Sequence, residues 1–418
     1  MISFGPIHHG KENTKEAEQY KLLWTSKFVA EYSEKRCIQD PDRTGQDLLK
    51  KIENNIDELK KLFSQDVIEG YIDTDMAWML FVDGCSLLHL MEKMDGNPES
   101  LSLKLDQLVY MSRDMLLLEN QLPRRLLEML SKEEGKDLEC LFGNYTSLGE
   151  YKRLGIVVVS IQNPKPIHLL DYYRSTYLSP QVHLDAHTYE PREKRKILRK
   201  YNEADKYDNQ IVPPISWHTC KNIQELKTVG IRVKANKLHK NNALAWSNIT
   251  FTSKWFGGEL RLPVFDFSDS TPYFLWNVMA YEMCPDVDYK YECCSYFSFM
   301  DSLIDTAEDV KELRLAGVFQ NLLGSDQDLA NLFNELGNDL PTKLYSNVFH
   351  SQSVAYSKKY IMIKHQIENH YKTKWRTWLA LAYNTYCNTP WTMIAFLAAF
   401  LALVLTFIQT WFAIHSNN

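Results

Sequence analysis

The sequence lacks the short motifs by which common enzyme and metal-binding classes are identified. Its eight cysteines form no C-x-x-C pair, and only Cys293 and Cys294 adjoin, which matches neither a zinc site nor a disulfide-rich domain. There is also no G-x-S-x-G turn to expose a serine nucleophile. We interpret the cysteines as reduced side chains in a reducing compartment, and we expect no metal and no cofactor.

A strong excess of positive charge is absent too. The 418 residues include 53 acidic and 47 basic side chains, for a formal net charge of -6. Nucleic-acid binding requires a concentrated basic surface, so the composition predicts no nucleic-acid partner. The apolar content of 45% can fill the core of one large domain or of several smaller ones. Residues 1–12 show no cationic stretch followed by an apolar one, so no secretory signal is predicted.

Charged side chains are missing from residue 377 onward, where the chain instead becomes strongly apolar. As a helix, residues 391–414 would be about 36 Å long, enough to cross a hydrocarbon core of about 30 Å. A buried core helix is typically shorter and carries more charge. We therefore predict one transmembrane helix over 390–414 with a short tail at 415–418, and partners that include the lipid bilayer. The residues assigned to this membrane anchor are Pro390 at its start, Trp391 and Trp411 at the interfaces, and Leu401, Leu405 and Gln409 between them.

Cationic residues lie on one side of the predicted anchor. Lys372, Lys374 and Arg376 precede it and no Lys or Arg follows it, so the positive-inside rule predicts a cytosolic large domain. With so short a tail, the sequence indicates a single-pass, tail-anchored protein of the plasma membrane or an endomembrane.

Small residues recur at four-residue spacing in the anchor, where they could pair two anchor helices into a homo-oligomer. Alanine as ordinary filler is the simpler explanation. The two pairs are Ala395 with Ala399 and Ala398 with Ala402.

Hydrophobic periodicity predicts an α+β fold that is mainly α-helical, with one large helical domain over 1–384 and a small antiparallel β-sheet. We divide this domain into a helical part at 1–150, a mixed part at 151–270 and a helical part at 271–384, with a charged loop near 190–214. Helices are predicted over 12–34, 44–69, 73–93, 102–130 with a kink or new start at Pro123, 273–282, 289–305, 307–315 and 326–336, and from near 345. Strands are predicted at 155–161, 230–233, 249–252 and 259–265.

The helix predicted from near residue 345 carries an apolar and aromatic stripe. A packed core face is the main interpretation of this stripe, and a membrane-lying or partner-binding face is the alternative. Its members are Tyr356, Tyr360, Ile363, Ile367, Tyr371, Trp375 and Trp378.

Two motif matches are set aside. Residues 5–12 fit G-x-x-x-x-G-K, but Glu12 replaces the Ser or Thr that would hold magnesium, and the four preceding residues are too few for the required strand. His183 and His187 have the spacing of paired metal ligands but lie between prolines and lack the glutamate of H-E-x-x-H. We expect a loop with two exposed histidines there.

Five sequence blocks, in order along almost the whole chain, resemble the plant family called domain of unknown function 247. The resemblance implies a plant protein with a C-terminal membrane span and no established catalytic activity. Some grass members of the family resemble determinants of gametophytic self-incompatibility, which act in recognition between pollen and stigma. This chain opens inside the first block, without the upstream segment usual in the family. The blocks are residues 3–10, 80–85, 113–123 and 300–310, and residues 388–391 leading into 405–410.

Two hypotheses for function follow. The first is a membrane-anchored, non-enzymatic recognition or signalling protein with protein partners. The second is a membrane-bound hydrolase or transferase that uses Asp83, His8 or Asp305. Convergence of these side chains in an open cleft would favour the enzyme. A self-incompatibility role would fit more simply with a domain that faces outward, whereas the cationic flank predicts a cytosolic one.

Overall fold

The architecture comes from a computed structural model of the chain. It describes residues 1–131, 165–178, 222–236, 248–254, 257–285, 291–338, 357–372 and 390–415, with short pieces at 138, 141–143, 156–159, 181–184, 246, 287 and 340. The charged loop predicted near 190–214 lies outside the described residues, as do Lys374 and Arg376.

Helices account for most of the described structure. The first eight are α1 Lys15–Lys35, α2 Pro41–Glu53, α3 Ile56–Lys60, α4 Gln65–Ile68, α5 Asp73–Gly96, α6 Leu105–Asp114, α7 Arg124–Leu130 and α8 Leu169–Leu178. They are followed by α9 Ile223–Thr228, α10 Thr271–Glu282, α11 Glu292–Asp301, α12 Ala307–Leu315, α13 Asp326–Asn338, α14 Lys358–Lys372 and α15 Pro390–His415.

Seven short strands complete the described structure. They are β1 Ile156–Val159, β2 Gln181–Leu184, β3 Ile231–Asn236, β4 Thr250–Lys254, β5 Gly257–Pro263, β6 Phe265–Phe267 and β7 Phe319–Asn321. The chain divides into two compact units that are discontinuous in sequence. Unit 1 comprises Met1–Glu203, Lys237–Ser247 and Phe267–Tyr296, and unit 2 comprises Ala204–Asn236, Asn248–Asp266 and Phe297–Asn418.

Unit 1 is built around α1 and α5, which pack against each other. Lys21 pairs with Asp83 near one end of this contact, and Glu31 pairs with Lys93 near the other, so the two helices run in the same direction. The apolar spacing of α1 buries Trp24 and, one turn later, Phe28.

The helices of unit 1 lie near their predicted positions, with two differences. The helix predicted over 44–69 is broken into α2, α3 and α4, where Asn55 and Ser64 stand at the positions that precede the two later helices. Both residue types favour helix starts over helix interiors. Pro123 immediately precedes α7 and so marks a new helix rather than a kink. His183, predicted in a loop, lies in β2 opposite Val157 of β1.

Unit 2 contains a three-stranded sheet in the order β3-β5-β4. The predicted antiparallel sheet is wrong in one respect: β4 is antiparallel to β5, but β3 is parallel to it, so the sheet is mixed. The alternation of apolar and polar residues marks each strand and its two faces. It carries no information on strand direction, and this is why the arrangement of β3 was missed.

The stripe of α14 faces the interior of unit 2. Tyr360, Ile363 and Ile367 are buried, which confirms a packed core face for the part of the stripe that is described. Tyr371 is partly exposed, and Tyr356 lies outside the described residues, as do Trp375 and Trp378.

The mainly helical α+β class is thus confirmed, with a small mixed sheet and a single apolar C-terminal helix, α15. Within α15, Ile394–Phe412 is long and apolar enough to cross a membrane, with a mean hydropathy of 2.1. The three-part division of residues 1–384 stays a prediction.

Gly257 offers a test of the sheet. Its φ is +132°, and a Cβ there would lie 2.4 Å from the Gly230 carbonyl oxygen, a main-chain atom that cannot swing aside. We expect Gly257→Ala to destabilise the chain by about 2–3 kcal/mol, from backbone strain plus steric overlap. The measurement is the shift in thermal unfolding midpoint.

The matched control is Gly70→Ala. Gly70 also has a positive φ, +90°, but a Cβ added there would meet open space, with nothing within 4 Å beyond its chain neighbours. It should show the conformational cost alone, about 1 kcal/mol. Equal midpoint shifts for the two variants would contradict the close approach of Gly257 to Gly230.

Candidate functional site

Three of the five sequence blocks meet in unit 1 at the start of the chain. Residues 2–5 form a segment whose apolar side chains, Ile2 and Phe4, are buried. Its main-chain polar groups are therefore taken from water and need partners. Side chains from α1, α5, the end of α6 and the stretch after α6 provide those partners. We call this arrangement the N-terminal clasp; its holding residues are Lys21, Asp83, Asp114 and Asn120.

Asn120 and Asp114 hold the first part of the segment. The Ile2 N–H donates to Asp114 Oδ2 at 2.8 Å. The Phe4 N–H donates to Asn120 Oδ1 at 2.7 Å, and Asn120 Nδ2 donates back to the Ile2 carbonyl at 2.9 Å. One carboxamide thus supplies the acceptor and donor that a neighbouring strand would otherwise supply.

Lys21 and Asp83 hold the second part. The Lys21 ammonium lies 2.5 Å from Asp83 Oδ1 and donates to the Ser3 carbonyl at 2.9 Å. The Gly5 N–H donates to Asp83 Oδ2 at 2.7 Å. The side chains of Lys21 and Asp83 are 0% and 1% exposed. Glu18 adds a second carboxylate 2.7 Å from the ammonium.

Burial sets the electrostatics of the clasp. Desolvation raises the pKa of Asp83, opposed by the charge and hydrogen bond of Lys21 and by the Gly5 N–H. Burial also raises the pKa of Asp114, opposed by the Ile2 N–H. A buried carboxylate without partners would be strongly unfavourable. Each carboxylate of the clasp is therefore bound to the segment it holds.

The chain after Gly5 is fixed by further contacts. The Tyr71 hydroxyl donates to the Pro6 carbonyl at 3.1 Å. His8 lies between Lys11, 2.6 Å from Nδ1, and Glu119, 2.6 Å from Nε2. Because the ammonium can only donate, His8 Nδ1 accepts and its Nε2–H donates to Glu119. With the Gly5 N–H bonded to Asp83, this stretch is docked against the helices of unit 1.

The three residues of the enzyme hypothesis are held by different partners. Asp83 is bonded to Lys21 and Gly5, and His8 to Glu119 and Lys11. Within the described part of unit 1, no hydrogen bond joins Asp83 to His8. Among the described residues of the whole chain, no group of three or more His, Cys, Asp or Glu side chains could hold a metal ion.

Asp305 belongs to unit 2, in the fourth sequence block. Its carboxylate accepts from Asn222 Nδ2 at 2.9 Å. Its neighbour Asp309 is fully buried and accepts from the N–H groups of Asp305 and Thr306 at the start of α12, and from Gln224 N–H in α9. This is a capping box that also joins two helices, so the block has a structural role.

Sequence reasoning missed a second buried ion pair in unit 1. Arg174 Nε lies 2.7 Å from Glu282 Oε1, and Glu282 also accepts the N–H groups of Cys293 and Cys294. Burial and Glu282 act in opposite directions on the pKa of Arg174, which is raised. The available signal was Glu282, the one charged residue of α10, and Arg174, the one cation of α8.

One exposed surface of unit 1 has the composition of a protein interface. Tyr110 on α6 and Tyr273 on α10 are both more than half exposed. The Arg113 guanidinium lies 5.6 Å and 5.0 Å from their ring centroids, and its Nε donates to Ser270 Oγ at 2.9 Å. Tyrosine and arginine are enriched at interface hot spots. We call these residues the Tyr–Arg surface.

The predicted anchor residues all lie in α15, which begins at Pro390 as expected for a proline at a helix start. Leu401, Leu405, Gln409 and Trp411 are exposed. Pro390 and Trp391 lie in the helix, but their side chains are not among the described parts of the structure. In the flank, Lys372 ends α14 and lies 2.7 Å from Glu368. Their role as a membrane anchor and topology signal stays a prediction.

The clasp predicts unequal effects for two lysines of α1. Lys21→Met leaves the Asp83 carboxylate buried without its cation, so we expect a loss of about 3–5 kcal/mol in the free energy of unfolding. Lys21→Met combined with Asp83→Leu should lose less than the sum of the single variants, because neither charge then remains buried. The measurement is urea unfolding of the detergent-solubilised full chain.

Lys15→Met is the control, since Lys15 pairs with Glu12 in an exposed position. It should leave the urea midpoint unchanged. Similar small effects for Lys15→Met and Lys21→Met would show that the buried pair does not hold the segment.

Comparison with known proteins identifies the family of the chain. A family model described as a plant protein of unknown function, domain of unknown function 247, matches residues 1–405. Two similar proteins come from Arabidopsis thaliana. UPF0481 protein At3g47200 is 24% identical, covering 100% of this chain and 82% of its own length; putative UPF0481 protein At3g02645 is 22% identical, covering 100% and 87%. No solved structure matches. The chain therefore belongs to the plant family known as domain of unknown function 247.

Proposed function

We propose that this protein is a membrane-anchored, non-enzymatic recognition or signalling protein that binds other proteins. The observation that carries the proposal is α15, whose window Ile394–Phe412 has none of its residues buried. At 1.5 Å per residue, 19 residues extend about 28 Å, close to the thickness of a hydrocarbon core. A bilayer would remove this apolar surface from water.

Hydrogen bonding within α15 supports the same proposal. The Thr406 hydroxyl donates to the Ala402 carbonyl at 2.7 Å, and the Thr410 hydroxyl to the Thr406 carbonyl at 2.8 Å. Unpaired hydroxyls would be costly in hydrocarbon. Both threonines are thus accommodated without a partner helix. We also propose, from the spacing of the alanine pairs alone, that two copies of α15 can pair into a homo-oligomer.

The side of the membrane is proposed from charge. Lys372, Lys374 and Arg376 precede the span, so by the positive-inside rule the folded units face the cytosol. The pairing of Lys372 with Glu368 changes this argument little, because acidic residues contribute little to orientation.

Binding of protein partners is supported by the contrast between the clasp and the Tyr–Arg surface. In the clasp, the buried Asp83 and the half-buried Asp114 hold the chain's own backbone. The Tyr–Arg surface, in contrast, presents two exposed tyrosines and an arginine, and such residues dominate the energetics of many interfaces. A narrower role in gametophytic self-incompatibility follows from the family resemblance alone.

The anchor predicts the effect of two arginines. Leu401→Arg with Leu405→Arg places two charges near the centre of the span, at about 2.5–3.5 kcal/mol each for insertion. We expect the protein to move from the carbonate-resistant membrane fraction to the soluble or aggregated fraction. Leu401→Ala with Leu405→Ala is the matched control and should stay in the membrane.

Protease treatment of sealed vesicles tests the orientation of the wild-type protein. Cytosolic units would be digested in intact, cytosolic-side-out vesicles, and survival of the units would overturn the proposed side.

If the Leu→Arg and the Leu→Ala double variants both fractionate as the wild type does, α15 is not the anchor.

The Tyr–Arg surface predicts which variant loses partners. In crosslinked native membranes, Tyr110→Ala with Tyr273→Ala should reduce the yield of captured partner proteins at least about tenfold. Leu315→Ala with Leu322→Ala removes exposed apolar side chains of unit 2 and should leave capture unchanged. Capture that neither pair alters would contradict recognition through this surface.

The tissue from which partner proteins are captured tests the narrower role in self-incompatibility. Capture from pollen and from stigma membranes should yield partners in at least one of them if the protein acts in self-incompatibility. Partners confined to other tissues would contradict that role and leave the broader recognition function intact.

A further inference from the structure

One face of the three-stranded sheet in unit 2 concentrates positive charge. Side chains at alternate strand positions share a face, which places Arg232 and Lys234 of β3, Arg261 of β5 and Lys254 of β4 on the same side. The register sets Arg232 opposite Glu259 and Lys234 opposite Arg261. We call this the basic sheet face.

Glu259 is the one carboxylate that these strands place on that face. Lys254 lies 2.6 Å from Oε2, Arg261 2.6 Å from Oε1 and Lys234 3.3 Å from Oε2. The Glu259 side chain is 9% exposed, whereas those of the three cations are 42–58% exposed. The cations therefore cover the carboxylate and stand between it and solvent. Hydrogen bonds, first from Lys254 and then from Arg261 and Lys234, lower the pKa of Glu259 to about 2.

Four cations around one carboxylate leave a net charge of +3 on this face, in a chain whose formal net charge is -6. Arg232 is exposed, and no ion pair or hydrogen bond of its side chain occurs within the described residues. The same register also places Thr250 and Thr252 on this face, together with Asn236 and Pro263, which are buried at its end. The exposed part of the face, within the described strands, thus has cations and hydroxyl groups but no apolar residue.

This composition fits phosphate headgroups better than a protein. Protein interfaces are built around apolar and aromatic anchors, and lysine is depleted in them. A flat, exposed face of lysines and arginines instead resembles the polybasic surfaces that bind anionic lipid. We propose that the basic sheet face binds the anionic phospholipid headgroups of the membrane that holds α15, an inference that rests on the proposed anchoring.

Covalent connection brings this face to the membrane. Helix α14 packs on β4, where Ser253 Oγ lies 2.8 Å from His370 Nδ1. The same helix ends at Lys372, and α15 begins at Pro390. Residues 373–389 reach at most about 60 Å even when fully extended. Once α15 is inserted, the sheet is held at high effective concentration near the headgroups, so weak individual contacts suffice.

The test places the full-length protein in nanodiscs that contain either phosphatidylcholine alone or phosphatidylcholine with phosphatidylserine. A fluorophore on an unnatural amino acid at Thr252 reports proximity to a labelled lipid by energy transfer. We expect transfer to rise with phosphatidylserine and to fall in high salt, because screening weakens exposed charge interactions. Co-elution with the nanodisc is scored separately. Failure to incorporate would overturn the anchoring proposal, whereas incorporation without the response would overturn only this inference.

Three variants sharpen the test. Arg232→Gln with Lys234→Gln should lower the ratio of lipid-bound to free sheet about 25-fold, at about fivefold per cation. Glu259→Gln removes the carboxylate and should raise this ratio. Arg43→Gln with Lys50→Gln removes two exposed cations of α2 in unit 1 and should change nothing.

Two outcomes would overturn the inference. One is equal energy transfer from neutral and anionic nanodiscs in all variants whose thermal unfolding matches the wild type. The other is a response to a soluble acidic protein, added to neutral nanodiscs, that equals the response to phosphatidylserine. The latter would assign the face to a protein partner instead.

Discussion

The buried pair of Lys21 and Asp83 is the interaction on which the N-terminal half of unit 1 depends. Removing both charges from water is costly, and their attraction offsets this only if the remaining donors and acceptors are also paired. Here they are: Lys21 also reaches the Ser3 carbonyl and Glu18, and Asp83 also accepts the Gly5 N–H. The pair therefore requires the N-terminal segment to be in place. The segment in turn requires the pair, because its backbone groups would otherwise be buried without partners.

This mutual dependence explains why three of the sequence blocks belong together. Residues 3–10, 80–85 and 113–123 are far apart in the chain, yet each supplies one side of the clasp. The blocks could be identified from the sequence, but their contacts could not, since helical periodicity reports only positions within one helix. A signal was present in α1, where Lys21 lies one turn before the buried Trp24. Leu23, an apolar residue of the same helix, is exposed instead.

The sheet of unit 2 shows the same limit in another form. Alternation in 230–233, 249–252 and 259–265 located three strands, and it also indicated which residues share a face. It could not order the strands or orient β3, because pairing depends on contacts between segments far apart in sequence. The electrostatic character of the basic sheet face appears only after pairing, when Lys234 and Lys254 from two different strands meet at Glu259.

The two charged clusters differ in what burial allows them to do. In the clasp, desolvation makes every interaction strong, and all the groups are used to hold the chain itself. Around Glu259 the cations remain half exposed, and exposed ion pairs contribute only about 0–1 kcal/mol to stability. Stability alone therefore gives little reason for three cations to pair with one carboxylate while Arg232 stands exposed on the same face. Attraction of an external anion does give a reason, because each additional cation strengthens binding to a negatively charged surface. The sheet is connected to α15, whose apolar window is not buried, so under the proposed anchoring the extended anionic surface within its reach is the membrane.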